Sequence, residues 1–238
     1  MSTLHKIIIC EKEYDIVEKV DNLLSILLLI KTTQNNSLSF RSGCRSGVCG
    51  SCAVVVNGVE KLSCKTTVKS NDIVAPLKNS RIIKDLIVDL SNQDKFLTES
   101  KAFLEKKSDL AITIEDEKKI DISTNCILCN SCFSSCPVYE VNADFLGPFA
   151  LARVYRYTND KKESIIQSKI DTIQTNGIWD CTLCGNCSMV CPAHIDIKND
   201  IMQLRNKSAQ LGYNDPNMTT FNSGFDTNLD FGFNPNGF

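Results

Sequence analysis

Residues 126–137 read Cys126-Ile-Leu-Cys129-Asn-Ser-Cys132-Phe-Ser-Ser-Cys136-Pro137, and residues 181–192 read Cys181-Thr-Leu-Cys184-Gly-Asn-Cys187-Ser-Met-Val-Cys191-Pro192. Both stretches have the spacing C-x2-C-x2-C-x3-C-P, and together they hold eight of the thirteen cysteines. This spacing is typical of cubane iron-sulfur clusters, in which three closely spaced thiolates bind three corners of one cube. We call the two stretches the first run and the second run.

The fourth cysteine of each run stands before a proline and serves the other cluster. The spacing therefore predicts two crossed ligand sets. One set is Cys126, Cys129, Cys132 and Cys191, and the other is Cys136, Cys181, Cys184 and Cys187. Crossing holds the two clusters close together, as electron transfer requires.

Structural zinc is the main alternative for a repeated C-x2-C spacing. Zinc binds four sulfurs in a closed tetrahedron and usually takes two cysteines from each C-x2-C. It has no use for the third cysteine or for the terminal Cys-Pro, so two complete copies favour iron-sulfur clusters. A zinc-stabilised scaffold would be colourless, whereas iron-sulfur clusters would make the protein brown.

The composition bounds the possible functions. A chain of 238 residues is long enough for one large or two modest domains. Lys and Arg number 26 against 28 Asp and Glu, so the net charge of -2 gives no sign of a nucleic-acid partner. An odd number of cysteines in clustered spacings fits metal ligands in a reducing compartment better than paired disulfides.

Targeting signals are not apparent in the sequence. Residues 1–6 lack the basic flank and apolar segment of a secretory signal, although export with a signal-bearing partner stays open. The longest apolar run, residues 23–30, is far short of the roughly 20 residues that cross a bilayer. We therefore expect no transmembrane segment, so another subunit would have to anchor the chain at a membrane.

A third cysteine motif lies near the N-terminus. Its spacing is C-x4-C-x2-C with one further cysteine beyond a hairpin, which is typical of a plant-type 2Fe-2S cluster. The predicted ligands are Cys44, Cys49, Cys52 and Cys64. Glycines in the loop allow backbone N–H groups to approach the sulfurs. Arg41 and Arg45 flank the loop, where each either raises the reduction potential or is simply solvated.

The residues around this motif predict a β-grasp ferredoxin domain. Residues 5–10 and 14–18 predict a hairpin, and Asp21 or Asn22 is expected to cap a helix that ends near Thr32. The Asn57-Gly58 turn predicts a second hairpin, and residues 73–77 a last strand. Cys10 is left over after the clusters are filled. We expect it to be a small buried hydrophobe in the first strand.

The rest of the chain predicts a helical second domain. Residues 81–90 have no clean period and are expected to begin the connection between domains. A charged helix is predicted at 94–107 and a flexible acidic segment at 109–120. Further helices are predicted at 145–157, 161–175 and 195–210.

The predicted fold class is α+β. An N-terminal β-grasp plant-type 2Fe-2S ferredoxin domain would span residues 1–97, and a C-terminal α-helical bacterial-ferredoxin-like domain with two cubane-type clusters would span 98–210. Residues 211–238 are predicted to be disordered or to extend across a partner.

In this order of sites the chain resembles the iron-sulfur subunit of the succinate dehydrogenase and fumarate reductase family. The resemblance covers roughly residues 5–205 and extends beyond the cysteines. It includes residues 82–89 after the first domain, Phe145-Leu-Gly-Pro148 and Arg153-Val-Tyr-Arg-Tyr157 after the first run, and Asn176-Gly-Ile-Trp-Asp-Cys181.

The resemblance implies an electron relay without substrate chemistry on this chain. It implies an FAD-containing flavoprotein subunit as one partner and a membrane-anchor or other redox subunit on the quinone side as the other. The 2Fe-2S cluster would lie nearest the flavin, the cluster of Cys126, Cys129, Cys132 and Cys191 in the middle, and the third cluster nearest the quinone. The location implied is the cytoplasmic side of the inner membrane, through those partners.

The first departure from the family concerns Cys184. Family members usually have a non-cysteine residue there, which leaves three ligands and a 3Fe-4S cluster. This chain supplies a fourth cysteine, so we predict a second 4Fe-4S cluster of lower potential, since cluster type is among the determinants of potential. A 3Fe-4S cluster without Cys184 is the alternative.

The second departure concerns the quinone. Succinate-oxidising members have a Trp pair soon after the first run and a His just after the first cysteine of the second. Here the corresponding residues are 138–141 (Val-Tyr-Glu-Val) and Thr182. The only tryptophan is Trp179, and His194 is expected to be a surface or cap residue. These differences argue against direct ubiquinone binding and favour fumarate reduction, or an acceptor reached through other redox subunits.

Two other functional classes compete with this interpretation. One is a free multi-cluster ferredoxin that serves several enzymes. The other is the iron-sulfur subunit of a different flavin-dependent oxidoreductase, such as a glycolate or lactate oxidase or a thiol-linked fumarate reductase. Those subunits often have an additional cysteine-rich domain with a Cys-Cys-Gly signature, which this sequence does not contain, although a separate subunit could supply it.

Overall fold

The chain is represented by a computed structural model that describes residues 5–17 and 21–216. Most of the predicted tail, residues 217–238, lies outside the described residues.

The N-terminal part is a five-stranded sheet with one helix packed on it. The strand order is β2-β1-β5-β3-β4, in which β1 and β5 run parallel and the other neighbours antiparallel. The elements are β1 His5–Ile9, β2 Lys12–Ile16, α1 Leu23–Thr33, β3 Ala53–Val56, β4 Val59–Leu62 and β5 Asp72–Ala75. Both predicted hairpins, the helix and the last strand are confirmed.

Local sequence explains these elements. The Asn22 side chain accepts a hydrogen bond from the Ser25 N–H at 3.0 Å and so caps α1. Asn57 and Gly58 have φ values of 51° and 83°, as the tight turn between β3 and β4 requires. Ile7 and Ile9 alternate inward from β1 and are 1% exposed, and they pack with α1 in the core.

The prediction for Cys10 was wrong. Cys10 and Glu11 both have positive φ, 48° and 68°, and form a two-residue turn between β1 and β2. Such a turn matches the twist of the strands it joins. Cys10 is therefore half-buried at the edge of the core instead of buried within the strand.

The segment after the sheet packs on the first domain. A two-stranded hairpin forms from β6 Ile82–Lys84 and β7 Ile87–Val88, and Leu86 and Val88 are buried among residues of the N-terminal cores. It is followed by α2 Ser91–Glu99, which is shorter than the predicted helix at 94–107.

Among the described residues, six α-helices follow α2 and form the C-terminal part. Its core contains Phe133, Phe149, Leu151, Ile201 and Leu204, all buried. The helices are α3 Ile114–Thr124, α4 Ser131–Ser134, α5 Pro148–Asn159, α6 Gln167–Thr172, α7 Asn186–Met189 and α8 Ile197–Gln210. The predicted helices after each run are confirmed, with α6 shorter than expected.

The flexible segment predicted at residues 109–120 is largely helical instead. The Thr113 hydroxyl accepts a hydrogen bond from the Asp116 N–H, and the Asp116 carboxylate accepts one from the Thr113 N–H, so a capping box starts α3. Lys161 also binds Asp116 at 2.7 Å. The capping box and this ion pair explain why an acidic segment without apolar periodicity forms a helix.

Hydrogen bonds join the two parts beside the first run. The Asn79 amide donates to the carbonyl oxygens of Phe133, Ser134 and Cys136 at 2.8–3.2 Å. The Ser134 hydroxyl donates to the buried Glu60 carboxylate at 2.7 Å. Within the described ranges, no helix combines the length and apolar character needed to cross a membrane.

Candidate metal centres

The loop between α1 and β3 directs backbone N–H groups at cysteine sulfurs. The N–H groups of Ser46 and Val48 each donate to Cys44 Sγ at 3.4 Å, and the N–H of Cys44 donates to Cys49 Sγ at 3.3 Å. Arg45 and Gly47 have φ values of 59° and 86°, which help to turn these N–H groups inward. Such donors stabilise thiolate, the form that binds metal.

The four thiols of this predicted site differ in their surroundings. Hydrogen bonds from Ser46 and from the Val48 backbone lower the pKa of the exposed Cys44 to about 5. Cys52 and Cys64 are buried, and their sulfurs lie 3.4 Å apart. Burial and the hydrogen bond with Cys52 raise the pKa of Cys64 to about 11. A bound metal would have to offset this preference for the neutral thiol.

The two arginines beside this loop also differ. The Arg41 guanidinium donates to the Val88 carbonyl at 3.0 Å and lines a cavity with Cys49 and Cys52. Arg45 is exposed. Arg41 is thus the arginine positioned to act on the predicted 2Fe-2S site.

The two runs follow the same backbone path. Leu128 and Leu183 have φ values of 52° and 54°, and two residues later Asn130 and Gly185 have 62° and 84°. A four-residue helix, α4 or α7, begins directly afterwards in each run. In the second run the N–H of Leu183 donates to Cys181 Sγ at 3.4 Å. The repeated spacing therefore specifies a repeated loop.

One cavity brings together the first crossed set. Its wall includes three cysteines of the first run and one of the second, Cys126, Cys129, Cys132 and Cys191. Phe149 and Ala152 of α5 close it on one side, and none of the described residues that line it has a charged side chain. Burial raises the pKa of Cys132 well above its usual value. This apolar enclosure is suited to a cluster that must be shielded from water.

The second crossed set lies around the start of the second run. Cys136 belongs to the first run, yet burial and the nearby Cys181 and Cys184 raise its pKa to about 11. Burial and the nearby Cys181 likewise raise the pKa of Cys187 to about 12. Cys184 is the exposed member. The structure thus brings both predicted sets together, while the assignment of these cysteines as ligands stays a prediction.

The N-terminal loop touches the first run at Gly50. A Cβ atom at Gly50 would lie 2.7 Å from Cys129 Cβ and 2.9 Å from the Ile127 carbonyl oxygen, so only glycine fits. The φ of Gly50 is also positive, at 71°. The loop of the predicted 2Fe-2S site therefore packs directly against the first run at Cys129.

All thirteen cysteines lie within the described ranges, and none of them forms a disulfide. In the same ranges no group of three or more His, Cys, Asp or Glu side chains is already arranged to hold a metal ion. The fit to a cluster therefore depends on the surroundings of the thiols. N–H groups aimed at sulfur, together with an apolar cavity lined by four thiols, fit an iron-sulfur cluster.

Two arginines at these sites were not singled out from the sequence as ligand contacts. Burial raises the pKa of the Cys126 thiol, and the positive charge of Arg153 on α5 opposes that rise. Arg205 donates from α8 to the carbonyl oxygens of Ile178 at 2.9 Å and Cys181 at 2.6 Å. Both interactions join segments distant in sequence, so no local pattern indicates them.

The structure also gives the surroundings of Trp179 and His194, the two residues considered for a role in quinone binding. The Trp179 indole donates to Gln174 Oε1 at 2.9 Å, and the Arg205 guanidinium lies 5.5 Å from its ring. His194 is exposed, and its backbone N–H donates to the Cys191 carbonyl at 3.1 Å. As expected, His194 is a surface residue of the turn after the second run.

Two families of known domains match the chain. Residues 8–95 match the 2Fe-2S iron-sulfur cluster binding domain, and residues 122–195 match the 4Fe-4S dicluster domain. The twelve predicted ligands all lie in these two ranges. The prediction of 2Fe-2S and 4Fe-4S binding domains is confirmed.

Several curated proteins are similar over most of the chain. The iron-sulfur subunit of the 8-methylmenaquinol:fumarate reductase of Wolinella succinogenes is 35% identical, in an alignment that covers 81% of this chain and 65% of that protein. An uncharacterized iron-sulfur protein of Methanococcus maripaludis is 35% identical over 81% of this chain and 40% of its own length. This chain thus spans less than two thirds of either protein.

The similarity to a third protein covers most of both chains, and a solved structure shares the fold. The fumarate reductase iron-sulfur subunit of Haemophilus influenzae is 33% identical over 79% of this chain and 82% of its own length. A chain of the Mycobacterium smegmatis Sdh1 complex in the apo form superposes with a TM-score of 0.77, covering 90% of this chain and 99% of that one at 22% identity. The predicted α+β fold class is confirmed. The chain belongs to the iron-sulfur subunits of the succinate dehydrogenase and fumarate reductase family.

Proposed function

We propose that the chain relays electrons within a complex of the fumarate reductase and succinate dehydrogenase type. One partner is an FAD-containing flavoprotein subunit, and the other is a membrane-anchor or redox subunit on the quinone side. The relatives named as fumarate reductase subunits, one of them linked to 8-methylmenaquinol, favour electron flow toward fumarate. The chain would lie on the cytoplasmic side of the inner membrane through these partners.

Three sets of cysteines would hold the clusters. A bound iron-sulfur cluster supplies one-electron transfer at a potential that its surroundings set. The ligands proposed are Cys44, Cys49, Cys52 and Cys64 for the 2Fe-2S cluster, Cys126, Cys129, Cys132 and Cys191 for the middle 4Fe-4S cluster, and Cys136, Cys181, Cys184 and Cys187 for a second 4Fe-4S cluster. We retain the division at residues 97 and 210 as part of this proposal.

The protein's own residues would stabilise the ligand thiolates and shield the clusters from water. Backbone N–H groups around Cys44 stabilise thiolate, and Phe149 and Ala152 exclude water from the middle site. Each outer set has one exposed cysteine, Cys44 in the first and Cys184 in the last, whereas none of the four cysteines of the middle set is exposed. An exposed ligand at each end of the relay is suited to electrons that enter and leave at protein surfaces.

The observation that carries the proposal is the contact at Gly50. There the loop of the 2Fe-2S set and the first run approach until no Cβ atom fits between them. A protein that used its clusters only for stability would have no need to pack the two cysteine loops against each other. An electron relay needs neighbouring clusters to lie close together.

The test is purification of the native complex under anaerobic conditions through a tag on this chain. We expect a flavin-containing subunit to copurify, and fumarate to reoxidise all EPR-visible clusters after reduction with dithionite. Elution of the chain alone would indicate a free ferredoxin. Clusters that succinate does not reduce and fumarate does not oxidise, but that glycolate or lactate reduces, would indicate a different flavin oxidoreductase.

A further inference from the structure

The cavity between the 2Fe-2S loop and the first run has one charged residue in its wall. Its volume is about 260 Å³, and its wall includes Cys49 and Cys52 of the predicted 2Fe-2S site and Cys129 of the first run. Arg41 lines the same cavity, and none of the other described residues in the wall is an acid or a base. Arg41 therefore shares one cavity with cysteines of two predicted metal sites.

A hydrogen bond holds the Arg41 guanidinium at this cavity. One of its terminal nitrogens donates to the Val88 carbonyl at 3.0 Å. Val88 is a buried residue of β7 and lines the cavity as well. The Arg41 side chain thus extends from the 2Fe-2S loop to the connection between the two domains. Because the carbonyl is neutral, the bond fixes the position of the positive charge without neutralising it.

No carboxylate neutralises the charge of Arg41. Among the residues that the structure describes, Arg41 takes part in no ion pair. Asp89, which follows Val88 in the chain, pairs instead with Arg81 at 3.2 Å. Arg41 is half-buried, and removing a charge from water is unfavourable unless an opposite charge compensates it. A loaded cysteine site supplies such a charge, because its four thiolates outweigh the positive charge of the iron-sulfide core.

We propose that Arg41 is the counter-charge of the 2Fe-2S cluster and raises its reduction potential. The inference rests on the proposed function, because it takes that cluster to be held by Cys44, Cys49, Cys52 and Cys64. Arg41 would be a tuning residue of the relay, acting on its first centre from the side that faces the first run.

The physical reason is the charge that reduction adds. One electron enters the site and no proton is required, so the site becomes more negative by one unit. Arg41 stays protonated throughout, because the guanidinium cannot lose its proton in a protein. Charge around a cluster is among the determinants of its potential. Since Arg41 is half-buried, its attraction to the added electron is screened less than it would be in bulk water.

Arg45 provides the matched comparison within the same loop. It carries the same charge as Arg41, but it is exposed and lies outside the wall of this cavity. Water and salt screen an exposed charge strongly, so such a residue contributes little. The inference therefore predicts an effect for one of the two arginines only.

The size of the effect follows from the behaviour of other charge pairs in proteins. An opposite charge within about 4–6 Å shifts an ionisation equilibrium by about one to three powers of ten. Arg41 acts across a cavity and retains some solvent access, so the lower end of this range applies. We expect loss of its charge to lower the ratio of reduced to oxidised 2Fe-2S cluster about tenfold at a fixed ambient potential. For one electron this corresponds to about 59 mV.

The experiment is a potentiometric EPR titration of the purified complex. It compares the wild-type protein with Arg41→Gln, Arg41→Lys and the control Arg45→Gln, after iron and acid-labile sulfide have been measured in each. Arg41→Gln keeps a donor without the charge and should have a more negative 2Fe-2S midpoint. Arg41→Lys keeps the charge and should stay close to the wild-type midpoint, as should Arg45→Gln. If Arg41→Gln loses its iron, Arg41→Met takes its place.

The third cluster is an internal reference in every sample, because none of its proposed cysteines lines this cavity. An unchanged 2Fe-2S midpoint in an iron-replete Arg41→Gln protein would overturn the inference. An equal shift in Arg45→Gln, in Arg41→Lys or in the third cluster would also overturn it, because the cause would then not be the charge at this cavity.

Failure of the proposed function gives a different result. In that case fumarate would not reoxidise the reduced 2Fe-2S cluster of the wild-type complex, whatever the midpoints of the variants. Failure of the inference alone would leave this reoxidation intact and the Arg41→Gln midpoint at the wild-type value. The two failures are therefore distinguishable.

Discussion

The two cysteine runs share a spacing and a backbone path, but they lie in different surroundings. The first run packs between the sheet and the helices, where Phe133 and Ser134 are 3% and 2% exposed. In the second run Cys184 is exposed and Met189 is 80% exposed. The motif thus determines the local loop. The elements that pack against each loop determine its burial, and with it the environment of the metal.

The sharpest test of this comparison uses the equivalent cysteines Cys129 and Cys184. Cys129→Ala should remove the whole middle cluster, about four iron atoms per chain, because its site is enclosed and structural. Cys184→Ala should remove about one iron atom and leave a three-iron cluster, because the other three ligands resemble the usual family site. Iron and sulfide analysis with EPR of the oxidised protein measures both.

Cys10→Ala is the control for these variants and should leave the iron content unchanged. Equal iron losses in the Cys129 and Cys184 variants would mean that the two runs do not differ as described. Wild-type iron content in Cys184→Ala would remove this cysteine from the ligand set.

A second pair of variants concerns the contact that only the first run makes with the 2Fe-2S loop. Gly50→Ala should destabilise the protein by about 2–5 kcal/mol, because it combines a disfavoured φ with overpacking against Cys129. Gly58→Ala also places an alanine at a disfavoured positive φ, but its Cβ would meet no atom within 4 Å. It should therefore destabilise the protein by only about 1–2 kcal/mol. Thermal unfolding of the cluster-loaded proteins measures the difference.

Freeze-quench EPR of the same variants gives a second readout. We expect slower electron transfer between the first two clusters in Gly50→Ala and an unchanged rate in Gly58→Ala. Identical stabilities and rates for the two variants would mean that Gly50 does not control the approach of the two sites.

A third pair compares Ser134 with Met189, the residues that end α4 and α7. Ser134→Ala leaves the buried Glu60 carboxylate without its hydrogen bond from the Ser134 hydroxyl, which should cost about 1–3 kcal/mol. Met189→Ala changes an exposed side chain and should stay within about 0.5 kcal/mol of the wild-type protein. Denaturant unfolding under anaerobic conditions distinguishes them, and a larger cost for the Met189 variant would reverse the comparison.

The smallest expected effect concerns the helices that follow the two runs. α8 contains Asp200, which is 6% exposed, whereas α5 contains no acidic residue. Burial, with a contribution from Asp196, raises the pKa of Asp200 to about 7 from a usual value near 3.8. The folded state therefore favours the neutral acid, so stability should fall as the pH rises from about 4 to about 7.

The free energy of unfolding should fall by about 1–2 kcal/mol over this pH range, since solvent screening reduces the contribution of a shifted pKa to stability. Asp200→Asn removes the charge and should flatten this dependence while raising stability at neutral pH. Melting temperatures between about pH 5 and pH 8 measure it. The same pH slope in the wild-type and Asn proteins would show that Asp200 is not responsible.

Much of the fold was predictable because its signals are local. The Asn57-Gly58 turn and the Asn22 cap each follow from a residue type whose backbone or side chain suits one position. The crossed cysteine sets followed from spacing, since the proline after the fourth cysteine redirects it. The capping box at Thr113 and Asp116 was also visible in the sequence, but the absence of apolar periodicity in the segment led to the wrong prediction.

The remaining features depend on contacts between distant segments. Cys10 was wrongly predicted to lie in the first strand. Ile9 of β1 pairs with Lys12 of β2, so Cys10 lies in the turn beyond the buried Ile7 and Ile9. The hydrogen bond of Arg205 to the Cys181 carbonyl and the contact of Gly50 with Cys129 join segments that sequence patterns treat separately. Sequence spacing thus predicts which residues bind, and packing determines how each site is tuned.

The central claim is that twelve cysteines hold one 2Fe-2S and two 4Fe-4S clusters in a continuous relay. The most direct test is the metal and acid-labile sulfide content of the anaerobically purified complex. The account predicts about ten iron atoms and about ten sulfides for each copy of this chain. A folded, fully active complex whose copy of this chain contains zinc, or neither iron nor sulfide, would contradict it.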